Sequence, residues 1–113
     1  MFSFFSPGKI AQKYEQIGGS VTYFGKPHVP HFEACIRDLG LPKERVAHVG
    51  DSIHHDIAGA VNSGIPCVFV AGGVHREELG SDLGAMPDKD SLEKLFEEHG
   101  YTPTHVVPLF RLA

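Results

Sequence analysis

The stretch VAHVGD at residues 46–51 decides the fold, because a β-prone run ends there directly in a glycine and an aspartate. A helical segment follows and stops at Gly64, and the apolar run PCVFV at residues 66–70 comes next. Two strands separated by a single helix are expected to pair in parallel through a right-handed crossover. The pattern therefore predicts an α/β layered fold whose second strand is covered on both faces.

The same alternation of helix and strand signals continues towards both ends of the chain. The spacing of apolar residues predicts helices after Pro7 and Pro30, a short strand over Val21–Phe24, a helix opened by a capping box at Asp90, and a last strand over His105–Val107. The segment 71–89 is predicted to be mostly loop. No repeat or linker interrupts the pattern, so residues 1–113 are expected to form a single domain.

Composition and charge exclude several classes of protein. Ten Lys and Arg face fourteen Asp and Glu, and this net charge of −4 argues against general nucleic-acid binding. The longest apolar stretch, Ile65–Val74, is about half of the roughly 20 residues that a membrane helix needs. Met1–Phe5 shows no secretory signal, and the two cysteines, Cys35 and Cys67, are expected to be core residues. An intracellular soluble protein, cytoplasmic or organellar, is expected.

Reactive side chains follow the strand that ends the stretch 46–51. In open α/β sheets, ligands bind at the carboxyl ends of the strands, where Asp51, Ser52 and Asp56 would emerge. Two converging carboxylates offer the hard oxygen ligands that Mg²⁺ prefers. The alternative, that Asp51 and Asp56 only cap the following helix and favour its positive end, stays open on spacing alone.

Two further loops follow predicted strands. Lys26 comes directly after Val21–Phe24, and a lysine there could pair with a carboxylate or stabilise phosphoryl oxygens. The glycines at 72 and 73 allow a ligand to approach the backbone closely. A solvated lysine and an ordinary tight loop are the plainer interpretations. A Walker phosphate loop is excluded, since Pro27 stands where Ser or Thr is required.

The histidines and the pair Asp88 and Asp90 are interpreted as structural and not as functional residues. The chain has eight histidines, but no spacing typical of zinc ligands is visible, and the adjacent His54 and His55 are expected to point in different directions. Asp88 and Asp90 resemble the Asp-x-Asp nucleophile motif of phosphotransferases. The sequence before them is typical of a loop, so they are interpreted as the entry to a helix.

Taken together, GKP at 25–27, VAHVGDS at 46–52 and DIAGA at 56–60 resemble the haloacid dehalogenase-like (HAD-like) hydrolase superfamily. The closer likeness is to its class IIA branch, where a segment like YEQIGG at 14–19 precedes GKP and a strand like 68–70 leads into Gly-Gly-Val. The likeness covers roughly residues 7–110, almost the whole chain. The lysine and the two aspartates are diagnostic in combination and weak singly.

The resemblance implies roles for individual residues. Lys26 matches the lysine that steadies the nucleophile and the transferring phosphoryl group, while Asp51 and Asp56 match the acidic residues of a Mg²⁺ site. Ser52 and the loop at 72–73 would border the phosphate of a phosphorylated small molecule. Members of the superfamily mostly hydrolyse phosphate esters through an aspartyl-phosphate intermediate.

The departure from the family pattern is as informative as the match. Nothing before Lys26 provides an Asp-x-Asp motif, so the chain contains no nucleophile and resembles a C-terminal half that lacks the nucleophile strand and the cap domain. We therefore expect a partial Rossmann-like parallel sheet with flanking helices, weak Mg²⁺ binding and no turnover by this chain alone. An exposed strand edge would remain, which self-association or a complementary half would cover.

Two other functions are considered. A catalytically dead HAD-like binding or interaction module would explain the missing nucleophile for this chain taken literally. A phosphoacceptor receiver-like domain fits the size, but the acidic pair that it needs near the first strand is missing.

Overall fold

The computed structural model describes residues 6–112, which form helices around one small parallel sheet. The α-helices are α1 (Pro7–Gln16), α2 (Val29–Leu39), α3 (Ala58–Ser63), α4 (Arg76–Leu79) and α5 (Lys89–His99); the strands are β1 (His48–Gly50), β2 (Cys67–Val70) and β3 (His105–Val107). A single π-helical turn, Ile53–Ile57, precedes α3, and a short 3₁₀ turn covers Lys43–Arg45. Within this range no helix has both the length and the apolar character needed to cross a membrane.

The three strands pair in parallel in the order β1-β2-β3. His48 lies opposite Cys67, and Phe69 lies opposite Val106. Residues 67 and 69 of the central strand are buried, whereas residues 68 and 70 are half-buried, so the predicted cover is complete on only one face. The predicted α/β fold with a parallel sheet and flanking helices is confirmed, and β3 has the predicted bounds. The other two strands are shorter than predicted, and β1 starts two residues later.

The apolar core lies between the sheet and the helices that connect its strands. The largest fully buried side chains come from the π-turn after β1 and from β2: Ile53, Ile57, Cys67 and Phe69. Residues of α2 and α5 also belong to the core, including Phe32 and Leu95. Two crossovers, β1-α3-β2 and β2-α5-β3, therefore contain most of the buried apolar side chains.

The strand predicted over Val21–Phe24 is wrong. These four residues form no strand, and they lie in an irregular segment between α1 and α2. A β-strand needs a neighbour to satisfy its backbone N–H and C=O groups. No strand among residues 6–112 pairs with this segment, so a β-prone composition alone does not produce one.

Two smaller predictions are corrected at α5 and α2. The N-cap of α5 is Asp88, not Asp90, which lies inside the first turn, and the Ser91 hydroxyl donates to Asp88 Oδ2 at 2.6 Å. Cys67 is buried as predicted, but Cys35 is exposed. The reason is helical geometry: α2 buries Phe32 and Ile36, and residue 35 is rotated off the face that they share.

Helix α1 contributes no buried residue to the described part of the chain. Ile10 and Ile17, which form its predicted apolar stripe with Tyr14, are 63% and 76% exposed. The radius of gyration is 16.0 Å, compared with about 13 Å for a compact 100-residue domain. The stripe therefore does not pack against the core formed by the rest of residues 6–112.

Candidate functional site

Lys26 and Asp56 meet at the carboxyl end of β1. Lys26 lies in the loop before α2, and its Nζ donates a hydrogen bond to Asp56 Oδ1 at 2.7 Å. The carboxylate is buried, with 4% of the side chain exposed, whereas 43% of the lysine side chain is exposed. Lys26 and Asp56 belong to two different motifs of the resemblance and lie 30 positions apart in the sequence. In the structure they form one ion pair.

Asp56 is held by two further donors. The Nε2–H of His48 donates to Oδ1 at 2.8 Å, and the backbone N–H of Ser52 donates to Oδ2 at 3.1 Å. Gly50 makes room for this arrangement, since a Cβ there would lie 2.2 Å from the Asp56 Cγ. Our sequence reasoning missed His48. The available signal was its position two residues before Gly50, which places both on one face of β1.

These contacts set the charge of Asp56. Burial by itself raises the pKa of a carboxyl group, but the hydrogen bonds from Lys26, His48 and Ser52 and the lysine charge outweigh it. The pKa of Asp56 is lowered from 3.8 to about 2. The group is therefore a buried anion at neutral pH, and the amine of Lys26 is its nearest fixed countercharge.

Asp51 lies in a separate part of the same edge. It is half-buried, and its Oδ2 accepts a hydrogen bond from the backbone N–H of Val74 at 3.0 Å. It lines an open depression of about 330 Å³ with residues from the ends of all three strands or the segments after them: Val49, Gly50, Val70, Gly72, Gly73 and Phe110. The depression thus opens where ligands of parallel sheets bind.

The predicted site residues are brought together in two groups. Lys26 joins Asp56, and Asp51 joins the loop at Gly72 and Gly73; within residues 6–112 no ion pair connects Lys26 to Asp51. Ser52 lies between the groups, with its hydroxyl accepting from the His55 backbone N–H at 3.3 Å. It caps the turn that carries Asp56, and its role at a phosphate stays a prediction.

The donor atoms allow a test of the expected Mg²⁺ site. Both oxygens of Asp56 accept hydrogen bonds from the protein, so its role as a direct ligand stays a prediction. Asp51 offers a carboxylate at the edge of an open depression. Mg²⁺ commonly uses one or two carboxylates, several waters and substrate phosphate oxygens. The residues fit such a site, with few protein ligands.

A second cluster contains three histidines. His54 and His55 point in different directions, as predicted: His54 Nε2 lies 2.8 Å from His99 Nδ1, whereas His55 Nδ1 lies 2.9 Å from the Ser52 hydroxyl. The sequence shows no spacing typical of zinc ligands, but in the fold His75, Glu78 and His99 each place one side-chain nitrogen or oxygen within 4.8 Å of the others. Their separation in sequence, across α4 and α5, hides this cluster from spacing rules.

Comparisons with known proteins agree with this fold. A family model described as HAD-hydrolase-like matches residues 23–111, and the chain belongs to this family. The 4-nitrophenylphosphatase of Schizosaccharomyces pombe is 35% identical over 101 residues, which cover 82% of this chain and 34% of that protein. The glyceraldehyde 3-phosphate phosphatase of Methanothermobacter thermautotrophicus is 31% identical over 78 residues, which cover 64% of this chain and 34% of that protein.

A solved structure shows the same relationship. The p-nitrophenyl phosphatase from Archaeoglobus fulgidus superposes with a TM-score of 0.65 and 27% identity, covering 90% of this chain and 35% of that chain. The resemblance to the HAD-like superfamily is thereby confirmed. This chain spans about a third of the length of the relatives that it matches.

Proposed function

We propose that the chain is the C-terminal portion of a Mg²⁺-dependent, class IIA HAD-like hydrolase of phosphate esters, and that it has no turnover by itself. The observation that carries this proposal is the ion pair between Lys26 and Asp56 at the carboxyl end of β1. It joins two motifs of the resemblance, and the two relatives described above are named as phosphatases.

The described residues would supply charge and position, not the bond-forming group. Lys26 keeps more than a third of its side chain exposed, so its ammonium group can face a phosphoryl oxygen while Asp56 holds it in place. Asp56 would act mainly by positioning Lys26, since its oxygens are occupied by three protein donors. Covalent catalysis also requires a nucleophile, and no aspartate precedes Lys26 in the sequence.

Asp51 is the residue that we assign to Mg²⁺, with Gly72 and Gly73 bordering the phosphate. The bound ion would supply positive charge for the phosphate oxygens. Because Asp51 is the one site carboxylate in the depression, binding should be weak in this chain. The substrate would be a phosphorylated small molecule. The expected intracellular location also stays a prediction.

A titration followed by amide NMR tests the assignment of Asp51. Addition of MgCl₂ with inorganic phosphate to the ¹⁵N-labelled chain is expected to shift the amide signals of Asp51, Gly72, Gly73 and Val74. Asp51→Asn should abolish these shifts, and Asp82→Asn, a change at an exposed loop carboxylate, should retain them. Identical shifts in the wild type and in Asp51→Asn would contradict the assignment.

Turnover is tested separately, with release of phosphate from an aryl phosphate in the presence of Mg²⁺. We expect no activity from the purified chain, because no aspartate precedes Lys26 to act as the nucleophile of the family pattern. Activity that Asp51→Asn abolishes would overturn the proposed inactivity.

A catalytically dead interaction module is the second candidate. The exposed stripe of Ile10, Tyr14 and Ile17 along α1 and its C-cap favours it, as does the free edge of β1 among the described residues. Both features would equally suit docking onto the rest of a longer enzyme, or self-association. The coding region upstream of Met1 distinguishes the candidates: an in-frame strand ending in Asp-x-Asp supports the hydrolase, and a stop codon supports the module.

A further inference from the structure

A histidine-rich cluster lies beside the proposed phosphate site without taking part in it. His54 is on the π-turn after β1, Glu78 is in α4, and His99 is the last residue of α5. His75, just before α4, is buried beneath them, with its ring 5.4 Å from that of His99. The cluster thus joins three segments that are distant in the sequence.

The hydrogen bonds of His75 determine what it can do. The backbone N–H of Ile53 donates to His75 Nε2 at 3.1 Å, so this nitrogen carries the lone pair and Nδ1 carries the proton. His75 Nδ1 then donates to Glu78 Oε1. With both ring nitrogens used, His75 is not a metal ligand in this arrangement. It orients the carboxylate of Glu78, as hydrogen-bonded partners of metal ligands commonly do.

The contact between His54 and His99 places two nitrogens together with one proton between them. His54 Nε2 and His99 Nδ1 are 2.8 Å apart. If the bridging proton moves to the far nitrogen of its own ring, both facing lone pairs become available without any net release of protons. Zinc–nitrogen bonds of about 2.0–2.1 Å in a tetrahedral site would separate the nitrogens by about 3.3 Å. A shift of about half an ångström is enough to bring these two nitrogens to that separation, and His54 is exposed and free to turn.

We propose that His99 and Glu78, whose ligand atoms lie within 4.8 Å of each other, bind a divalent transition metal of the zinc type, with His54 turning its Nε2 from His99 onto the ion and His75 orienting Glu78. Imidazole nitrogens suit Zn²⁺, Co²⁺ and Ni²⁺ and do not suit Mg²⁺, which separates this site chemically from that at Asp51. The position of His99 at the carboxyl end of α5 also favours a cation. Bound metal would connect the π-turn, α4 and α5.

Titration of the tag-free chain with Co²⁺ tests the proposal, with the visible spectrum of the bound ion as the readout. We expect a single Co²⁺ to bind in a coordination that includes nitrogen, to be displaced by Zn²⁺ and to be unaffected by equimolar Mg²⁺. His54→Ala, Glu78→Gln and His99→Ala should each weaken binding about tenfold or more. Because His54 and Glu78 are exposed, these two variants should fold even if His99→Ala does not.

Two controls make the result specific. His55→Ala removes a neighbouring imidazole that contacts Ser52, while the backbone bond that caps the turn remains, so binding should be unchanged. Asp51→Asn should also leave Co²⁺ binding unchanged, whether or not the chain proves to be part of a hydrolase. The proposal is overturned if the wild type binds no Co²⁺, if the three cluster variants bind it as tightly as the wild type, or if either control weakens it equally.

Discussion

The carboxylate of Asp51 and the backbone of Gly73 are packed so closely that a Cβ at position 73 would lie 2.2 Å from the Asp51 Cβ. The next backbone N–H, that of Val74, donates to Asp51 Oδ2 at 3.0 Å. The loop after β2 therefore fixes the direction of a side chain that follows β1. Glycine is required at position 73 because of this approach, which any side chain would prevent.

We expect Gly73→Ala to displace Asp51 and to lower the free energy of unfolding by about 1–3 kcal/mol, the usual range for an overpacked contact. Urea unfolding measures the stability, and the Val74 amide signal reports the broken hydrogen bond. Gly25→Ala is the matched control, because a Cβ there meets nothing within 4 Å, and it should change stability by less than about 0.5 kcal/mol. Equal effects of the two substitutions would contradict the role of the close approach.

The lowered pKa of Asp56 gives the chain a defined response to acid. A carboxyl group with a folded-state pKa of about 2 and an unfolded value of 3.8 stabilises the fold above about pH 4. This contribution, on the order of 2 kcal/mol, is lost as the pH falls from about 4 to about 2. Urea unfolding across this pH range should show that the free energy of unfolding of the wild type falls. In Asp56→Asn, which lacks the titrating carboxyl group, the fall should be smaller by this contribution. Asp82→Asn, at an exposed carboxylate, should behave like the wild type.

Removal of Lys26 should lower the free energy of unfolding less than removal of Asp56. Lys26→Met leaves Asp56 with its bonds to His48 and Ser52, and the lysine is 43% exposed. We therefore expect a loss of about 1 kcal/mol at neutral pH, together with a higher pKa of Asp56. Lys94→Met, which removes an exposed lysine 4.0 Å from Glu98, should change stability by less than about 0.5 kcal/mol. A Lys26 variant as stable as this control would show that the ion pair does not contribute.

The strands that form the sheet could be predicted because apolar and β-prone runs in the local sequence indicate where they lie. The apolar run at 66–70 becomes the central strand, and the β-prone run before Asp51 becomes its neighbour. The segment Val21–Phe24 has similar composition but forms no strand, because pairing depends on a neighbour that local sequence does not reveal. Cys35 shows the same limit, since the boundary of a buried helix face depends on what packs against it.

Only those residues of the candidate site to which a motif assigns a role could be predicted from the sequence. Lys26 and Asp56 were expected together from the resemblance, and the structure places them in contact. His48 lies within the motif at 46–52, but the resemblance gives no role to it or to His75, and the partners of both depend on how β1, the π-turn and α4 pack in three dimensions. Histidine positions alone do not show which rings converge. The cluster around His99 therefore becomes visible only in the folded chain.

The two cysteines provide a direct test of the packing of α2 and β2. Cys35 is exposed and Cys67 is 1% exposed. In the native chain we expect a thiol reagent such as Ellman's reagent to modify Cys35 rapidly and to reach Cys67 only after unfolding in urea. Cys35→Ser should abolish the rapid phase. Equal reaction rates of both thiols without denaturant would contradict the described core.

The free edge of β1 should make the isolated chain associate. Among residues 6–112 β1 pairs only with β2, and Val49, in the middle of β1, is 36% exposed. An unpaired apolar edge is a template for another strand. We expect sedimentation velocity to show concentration-dependent association that Val49→Lys reduces. Val61→Lys, at a similarly exposed valine on α3, should leave association unchanged. A chain that stays monomeric at high concentration would show that another part of the molecule protects this edge.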